Sequence, residues 1–236
     1  KRFNKELSSN AQLDEFNVRK TNLLQALIEI KKEIDQTLTF RCGCRSGVCG
    51  SCAVRVNGIE KLACKTNLNE NDFIEPINNS NILKDLVVDV SHETLLISKL
   101  NLTIDANIES IQVSQEDVKN IDLQSNCILC NSCYSSCPVY EVNKEFLGPF
   151  ALTRALRYIN EKKNASGANI VSNIQANGIW DCTLCSACTL VCPQGIDPKA
   201  DIMQLQNISV QNGYTNPNIQ TMDFSDEFGG FNPNGF

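Results

Sequence analysis

The sequence predicts an α+β chain in which a small antiparallel sheet with one helix is followed by a helical region. Near the start, Asn22–Ile34 carries leucine and isoleucine at helical spacing. Residues 53–63 alternate as two short strands around Asn57-Gly58, and Asn-Gly is the preferred two-residue hairpin turn. Later apolar residues recur at helical spacing over 149–159 and 202–208, which predicts helices there.

Composition excludes some functions before any motif is considered. The chain has 236 residues, which suggests one or two domains. Its net charge of −6 gives no reason to expect nucleic-acid binding, because that needs concentrated positive charge. No apolar run approaches the roughly 18 residues that cross a bilayer. We therefore expect any membrane contact to be indirect, through a partner.

The chain contains 13 cysteines, an unusually high number. Residues 1–10 show no signal peptide, and without one this many thiols favour metal sites over disulfides. Thiols stay reduced, and free to bind metal, in reducing compartments, where disulfides are rare. We therefore expect the protein to be assembled in such a compartment.

Two cysteine runs, starting at Cys127 and Cys182, share the spacing C-x2-C-x2-C-x3-C-P. This is the spacing of bacterial ferredoxins, in which the fourth cysteine of each run binds the other run's cluster. The proline supports this exchange, because its fixed φ turns the chain away from the first cluster. The predicted ligands are Cys127, Cys130, Cys133 and Cys192 for one 4Fe-4S cluster, and Cys137, Cys182, Cys185 and Cys188 for the other. The alternative is zinc, held by pairs of cysteines in tetrahedral sites.

A third group of cysteines has the plant-type 2Fe-2S spacing C-x4-C-x2-C with a distant fourth cysteine. The hairpin over 53–63 returns the chain, so that the fourth cysteine comes back beside the loop. Gly43, Gly47 and Gly50 allow positive φ and bring backbone N–H groups near the sulfur atoms. The predicted 2Fe-2S ligands are Cys44, Cys49, Cys52 and Cys64. Cys42 is left over, and we predict that it is spare.

These assignments leave no set of residues for catalysis. His92 is the only histidine, and with no cysteine or paired carboxylates near it we expect a surface or core residue. With three redox centres and no substrate site, the chain is predicted to conduct electrons. The rival hypothesis is a free-standing carrier of the polyferredoxin type, without a fixed partner.

Several motifs resemble those of the iron-sulfur subunits of succinate dehydrogenases and fumarate reductases, and the resemblance covers nearly the whole chain. They are Phe40-Arg41, Cys44-Arg-Ser-Gly-Val-Cys49-Gly-Ser-Cys52, Lys61-Leu-Ala-Cys64-Lys-Thr, Cys127-Ile-Leu-Cys130, and Phe146-Leu-Gly-Pro-Phe150 through Arg157-Tyr158. The resemblance implies an N-terminal β-grasp plant-type ferredoxin domain at residues 1–104. An all-α bacterial-type two-cluster ferredoxin domain with an extended C-terminal tail would follow at 105–236.

The resemblance also implies partners. A subunit of this family carries electrons between a flavoprotein with covalent FAD and a membrane-side subunit. Two departures stand out: Cys185 replaces the non-cysteine residue of members with a 3Fe-4S cluster, and the usual tryptophan after Cys137-Pro138 is missing. Both resemble the branch with a cysteine-rich membrane-side subunit, which includes methylmenaquinol:fumarate reductases. A thiol pair in place of quinol as electron donor remains an alternative.

The expected location follows from these partners. The chain would belong to a peripheral membrane complex on the cytoplasmic face. It would lie on the periplasmic face if the folded complex were exported with a flavoprotein that bears a twin-arginine signal.

Overall fold

The computed structural model describes residues 1–3, 11–104 and 111–218. Its strands are β1 (Ala53–Val56), β2 (Ile59–Leu62), β3 (Ile74–Glu75), β4 (Ile82–Lys84) and β5 (Val87–Val88). Its helices are α1 (Leu23–Glu29), α2 (His92–Lys99), α3 (Gln115–Ser125), α4 (Ser132–Ser135), α5 (Pro138–Val142), α6 (Pro149–Ile159), α7 (Gly167–Asn173), α8 (Ala187–Leu190) and α9 (Pro198–Gln211). Strands thus precede a helical region, which confirms the predicted α+β class.

The predicted hairpin forms the centre of the N-terminal region. Strand β1 pairs antiparallel with β2 on one side and with β3 on the other. Asn57 and Gly58 both have positive φ, 51° and 82°, as a tight two-residue turn requires. Buried side chains of β1 pack against those of α1 to form the core of this region. The hairpin therefore brings Cys64 back beside β1.

Helix α1 occupies the first part of the predicted helix, and a π-helical turn at Ile30–Ile34 completes it. The side chain of Asn22 caps α1 by accepting a hydrogen bond from the N–H of Gln25. The same side chain donates to the carbonyl oxygen of Cys64 at 3.1 Å. One residue thus starts the helix and ties it to the segment that bears the fourth predicted 2Fe-2S ligand.

Two predictions of local structure need correction. The sequence of Leu86–Val90 predicts a strand, but the strand in the structure is limited to β5, which pairs with β4 in a separate two-stranded sheet. The sequence of Ile170–Gly178 predicts a short helix, but α7 ends at Asn173, because Ala176 is extended and Asn177 has a φ of 50°. Both departures depend on pairing and packing partners that local periodicity does not report.

Helix α6 is the centre of the helical region. It begins with Pro149 at its first turn, and its buried residues pack against α3, α7 and α9. Leu100 and Leu102 belong to the same core, although they precede the predicted domain boundary at residue 104. Residues 219–236, which hold most of the predicted tail, lie outside the described residues.

A buried polar contact joins the two regions. The hydroxyl of Ser135 donates to Oε1 of Glu60 at 2.6 Å and accepts a hydrogen bond from the N–H of Asn78. Nδ2 of Asn79 donates to the carbonyl oxygen of Tyr134 at 2.9 Å. Glu60 is also paired with Arg55 at 3.3 Å, so its buried charge is compensated. These contacts hold the helical region against the sheet.

None of the helices in the described ranges has the length and apolar character needed to cross a bilayer.

Candidate metal centres

The first cavity of interest lies in the helical region, and four cysteines line it. Three come from the first run, and the fourth is Cys192 from the second run; they are Cys127, Cys130, Cys133 and Cys192. The rest of the wall is mainly apolar and includes Ile128, Phe150 and Ile196. The exchange predicted from the C-x3-C-P ends thus agrees with the position of Cys192.

A second cavity shows the reverse exchange. It is lined by Cys137 from the first run and by three thiols of the second run, Cys182, Cys185 and Cys188. Pro138 begins α5 directly after Cys137, and Cys137 Sγ accepts a hydrogen bond from the N–H of Tyr140 at 3.4 Å. The turn at the proline therefore directs Cys137 away from the cavity of its own run.

The backbone of the two runs repeats around their middle cysteines. Leu129 and Leu184, which precede Cys130 and Cys185, have φ of 53° and 55°. Asn131 and Ser186, which follow those cysteines, have φ of 62° and 67°. Because a branched side chain rarely occupies the left-handed region, such conformations persist only where the surroundings impose them. The two runs therefore present their middle thiols in the same way.

Burial and crowding make these thiols hard to ionise. Burial raises the pKa of Cys133 well above its ordinary value, and the thiols of Cys130 and Cys127 raise it further. Burial likewise raises the pKa of Cys188 to about 12, with contributions from the neighbouring thiols of Cys182 and Cys137. Such groups stay protonated at neutral pH unless metal replaces the proton. Each cavity thus fits a group that carries several positive iron ions to four thiolates.

The plant-type loop folds back on its own sulfur atoms. Sγ of Cys44 accepts hydrogen bonds from the N–H groups of Ser46 at 3.4 Å and Val48 at 3.3 Å. These N–H groups lower the pKa of Cys44 to about 6, with the Ser46 contact as the largest cause. Sγ of Cys49 accepts a hydrogen bond from the N–H of Cys44 at 3.3 Å. The loop is therefore built to hold negative charge on sulfur.

The other two predicted ligands of this site lie at the base of the hairpin. Cys52 precedes β1, Cys64 lies in a 3-10 turn after β2, and the N–H of Ala63 donates to the carbonyl oxygen of Cys52 at 3.0 Å. Burial raises the pKa of Cys52 to about 11, and the nearby sulfur atoms of Cys64 and Cys49 add to this rise. The hairpin thus delivers Cys64 to Cys52, as its predicted geometry requires.

Zinc is the alternative metal for these cysteines. A tetrahedral zinc site places four ligands about 2.0–2.3 Å from one ion. Within the described ranges, no three His, Cys, Asp or Glu side chains come together closely enough to hold a single metal ion.

Two residues outside the predicted ligand sets have clear positions. The thiol of Cys42 is exposed. His92 is half-buried and packs edge-on against the ring of Tyr134, with the ring centres 5.1 Å apart. His92 thus occupies a partly buried position against an aromatic ring, which agrees with the prediction of a surface or core residue.

Sequence reasoning missed residues that hold the cluster segments together across long distances. Nδ2 of Asn79 lies within 3.4 Å of the carbonyl oxygen of Cys137, and its oxygen accepts from Lys144. Asn79 takes a φ of 62°, and asparagine is enriched in this region of φ. The pair Asn78-Asn79 suggests a turn, but nothing in the sequence predicts its partner.

Two family models match the chain in the order in which the sites occur. Residues 1–94 match a model described as a 2Fe-2S iron-sulfur cluster binding domain. Residues 124–196 match a model described as a 4Fe-4S dicluster domain. The chain therefore binds one 2Fe-2S cluster and two 4Fe-4S clusters, and the zinc alternative is wrong.

Curated relatives extend this agreement over most of the chain. The fumarate reductase iron-sulfur subunit of Haemophilus influenzae is 36% identical over 226 residues, which cover 86% of this chain and 88% of the relative. The 8-methylmenaquinol:fumarate reductase iron-sulfur subunit of Wolinella succinogenes is 36% identical over 206 residues, which cover 81% of this chain and 65% of that subunit.

A solved structure shares the fold. A chain of the Mycobacterium smegmatis Sdh1 complex in the apo form superposes with a TM-score of 0.73, at 23% identity, and covers 86% of this chain and 90% of its own. The relatives and the family models agree with the resemblance seen in the motifs. This chain belongs to the iron-sulfur subunits of the fumarate reductase and succinate dehydrogenase family, the electron-transfer subunits of these oxidoreductase complexes.

Proposed function

We propose that the twelve predicted thiolates hold three clusters in this subunit. The 2Fe-2S ligands are Cys44, Cys49, Cys52 and Cys64; the ligands of the first 4Fe-4S cluster are Cys127, Cys130, Cys133 and Cys192; and those of the second are Cys137, Cys182, Cys185 and Cys188. The observation that carries this proposal is that each cavity is lined by three thiols of one run and the fourth thiol of the other. When bound, the clusters supply one-electron transfer.

The chain's own residues prepare these sites. Apolar side chains form much of the wall of each cavity in the helical region. Backbone N–H groups donate to sulfur at the 2Fe-2S loop and at Cys182, where the N–H of Leu184 lies 3.4 Å from Sγ. Hydrogen bonds to sulfur and low solvent exposure are among the properties that set cluster potentials. The protein therefore provides both the ligands and the surroundings that tune them.

The finer fold and the domain division also belong to this proposal. Residues 1–104 form a β-grasp plant-type ferredoxin domain, and residues 105–236 form an all-α bacterial-type two-cluster domain with an extended tail. The three-stranded sheet against α1 supports the first assignment. The exchange of thiols between the two runs supports the second.

The subunit relays electrons between a flavoprotein that carries covalent FAD and a membrane-side subunit rich in cysteine. The presence of Cys185 beside three other thiols supports the cysteine-rich partner, and the Wolinella relative is a methylmenaquinol enzyme by name. The complex is peripheral to the membrane, on the cytoplasmic face or, after folded export with a twin-arginine partner, on the periplasmic face.

The purified native complex tests the partners and the cluster content together. This subunit should copurify with a flavin-bearing subunit and contain about ten iron atoms, the sum of one 2Fe-2S and two 4Fe-4S clusters. Iron, zinc and flavin would be measured on the same sample. Iron near six per subunit, zinc in proportion to protein, or a monomer without flavin would contradict the proposal.

Cys42 and Cys44 form a matched pair for testing the 2Fe-2S ligands. Both thiols are exposed, but Sγ of Cys44 accepts two backbone hydrogen bonds, and Cys42 lies two residues earlier, outside the C-x4-C-x2-C spacing. Cys42→Ser should therefore leave the 2Fe-2S absorption and electron paramagnetic resonance spectra unchanged, and Cys44→Ser should disturb both. Loss of the cluster in Cys42→Ser, with retention in Cys44→Ser, would reverse the ligand assignment.

A further inference from the structure

The loop that carries the 2Fe-2S ligands touches the first 4Fe-4S site at two points. A Cβ added to Gly50 would lie 2.7 Å from the carbonyl oxygen of Ile128 and 2.9 Å from Cα of Cys130. Nε2 of Gln194 donates to the carbonyl oxygen of Gly47 at 3.0 Å. Gly50 follows one proposed 2Fe-2S ligand directly, and Gln194 lies two residues after a proposed ligand of the first 4Fe-4S site. The contacts thus join the immediate surroundings of two metal sites.

The conformation of Gly50 does not by itself demand glycine. Its φ is +71°, but asparagine takes the same left-handed region at Asn57 and Asn79 in this chain. What excludes a side chain at position 50 is the backbone of Ile128 and Cys130, which cannot move aside as a flexible side chain could. Glycine at position 50 therefore allows the loop of the 2Fe-2S site to lie directly against the backbone of the first 4Fe-4S site.

The first cysteine run, which lies on the other side of the contact with Gly50, is also held in place. Ile128 and Cys130 pack against the core of the N-terminal region, so the first run is held against that region around Gly50. Gln194 lines the cavity of the first 4Fe-4S site while its amide bonds the opposite loop. Glycine at position 50 allows the two segments to lie close together, and the hydrogen bond from Gln194 holds them there.

We propose that Gly50 and Gln194 are positioning residues that set the separation between the 2Fe-2S site and the first 4Fe-4S site. This rests on the ligand assignment of the proposed function. A single electron that leaves one site must arrive at the other by tunnelling through the protein between them, with no bond made or broken. Because tunnelling slows steeply with distance, a side chain at position 50 would separate the sites and weaken their electronic and magnetic interaction.

The test compares Gly50→Ala with Gly58→Ala in the intact complex. Gly58 has a similar positive φ, +82°, and the nearest atom to an added Cβ is Nη2 of Arg55 at 3.7 Å. Gly58→Ala thus introduces the backbone strain without the contact. After chemical reduction, electron paramagnetic resonance measures the spin–spin interaction between the two clusters. Gly50→Ala should weaken this interaction while each cluster keeps its own signal, and Gly58→Ala should leave it unchanged.

Gln194→Ala provides a second, milder variant that decides the matter if Gly50→Ala does not assemble. It removes the hydrogen bond to Gly47 and introduces no clash, so a smaller weakening of the interaction is expected. An unchanged interaction in Gln194→Ala and in any assembled Gly50→Ala, with both clusters retained, would overturn the proposal, as would an equal loss in Gly58→Ala. Failure of the ligand assignment would appear separately, as a 2Fe-2S signal that is unchanged in Cys44→Ser.

Discussion

Gly148→Ala should prevent the helical region from reaching its native structure. Gly148 has a φ of 81° and a ψ of 174°, a combination that is essentially restricted to glycine. A Cβ there would lie 2.6 Å from the hydroxyl oxygen of Tyr134, with the ring carbons closer still. Tyr134 is fully buried, and its hydroxyl donates to the carbonyl oxygen of Leu147. The ring therefore has no free space into which to move.

Two costs combine in this variant. Backbone strain costs about 1–3 kcal/mol, and overpacking of a close-packed core costs about 1–3 kcal/mol more. Their sum is a large part of the about 5–15 kcal/mol that stabilises an ordinary protein. Because Tyr134 directly follows Cys133, its displacement would also disturb the proposed ligands on either side. We expect little soluble protein and a loss of 4Fe-4S absorption.

Gly213→Ala is the matched control for this prediction. Gly213 has a φ of 84°, and an added Cβ would meet no atom within 4 Å. This variant introduces backbone strain alone, so it should remain soluble and keep its 4Fe-4S absorption at about the wild-type intensity. Yields and absorption that are equal for the two variants would show that the packing of Tyr134 is not what requires glycine at 148.

Features with local causes could be predicted from the sequence. The hairpin follows from Asn57-Gly58, which is preferred in tight turns whatever the rest of the chain does. The grouping of thiols in the helical region follows from covalent spacing, because the short C-x2-C-x2-C run keeps its thiols close together. The start of α6 follows from Pro149, which is suited to the first turn of a helix.

Features that depend on distant partners could not be predicted. Gly50 is expected in a tight loop, but its contact with Ile128 joins positions far apart in the chain, and no local pattern reports it. The pairing of β4 with β5 likewise depends on packing around two very short strands. The left-handed φ of Leu129 and Leu184 contradicts the preference of leucine. The one sequence signal for it is the Leu-Cys pair that recurs in both runs.

This repeated backbone bears directly on Cys185, the proposed fourth ligand of the second 4Fe-4S cluster. Leu184 and Ser186 hold Cys185 as Leu129 and Asn131 hold Cys130. Both middle cysteines line cavities with three other thiols. If Cys130 binds an iron of its cube, the same geometry makes Cys185 a ligand of the other. Cys185 is also exposed, so an iron bound to it would lie at the solvent-accessible corner of the site.

Cys185→Ser should therefore convert the second 4Fe-4S cluster into a 3Fe-4S cluster. An iron without a thiolate is readily lost, and the exposure of this corner favours its release. The air-oxidised native complex should show no stoichiometric 3Fe-4S resonance, and the variant should show one. Thr183→Ser is the matched control, because Thr183 lines the same cavity without supplying a thiol. It should retain the native spectrum.

The same variant should separate the two ends of the electron path. Loss of the fourth ligand changes the cluster type and charge, which are among the determinants of its potential, so electron exchange with the membrane-side partner should slow. Fumarate reduction driven by soluble dyes should suffer less, because dyes can supply electrons closer to the flavin. A full 3Fe-4S signal in the intact native complex would show that Cys185 is not a ligand. The proposal of a cysteine-rich membrane-side partner would then lose its main support.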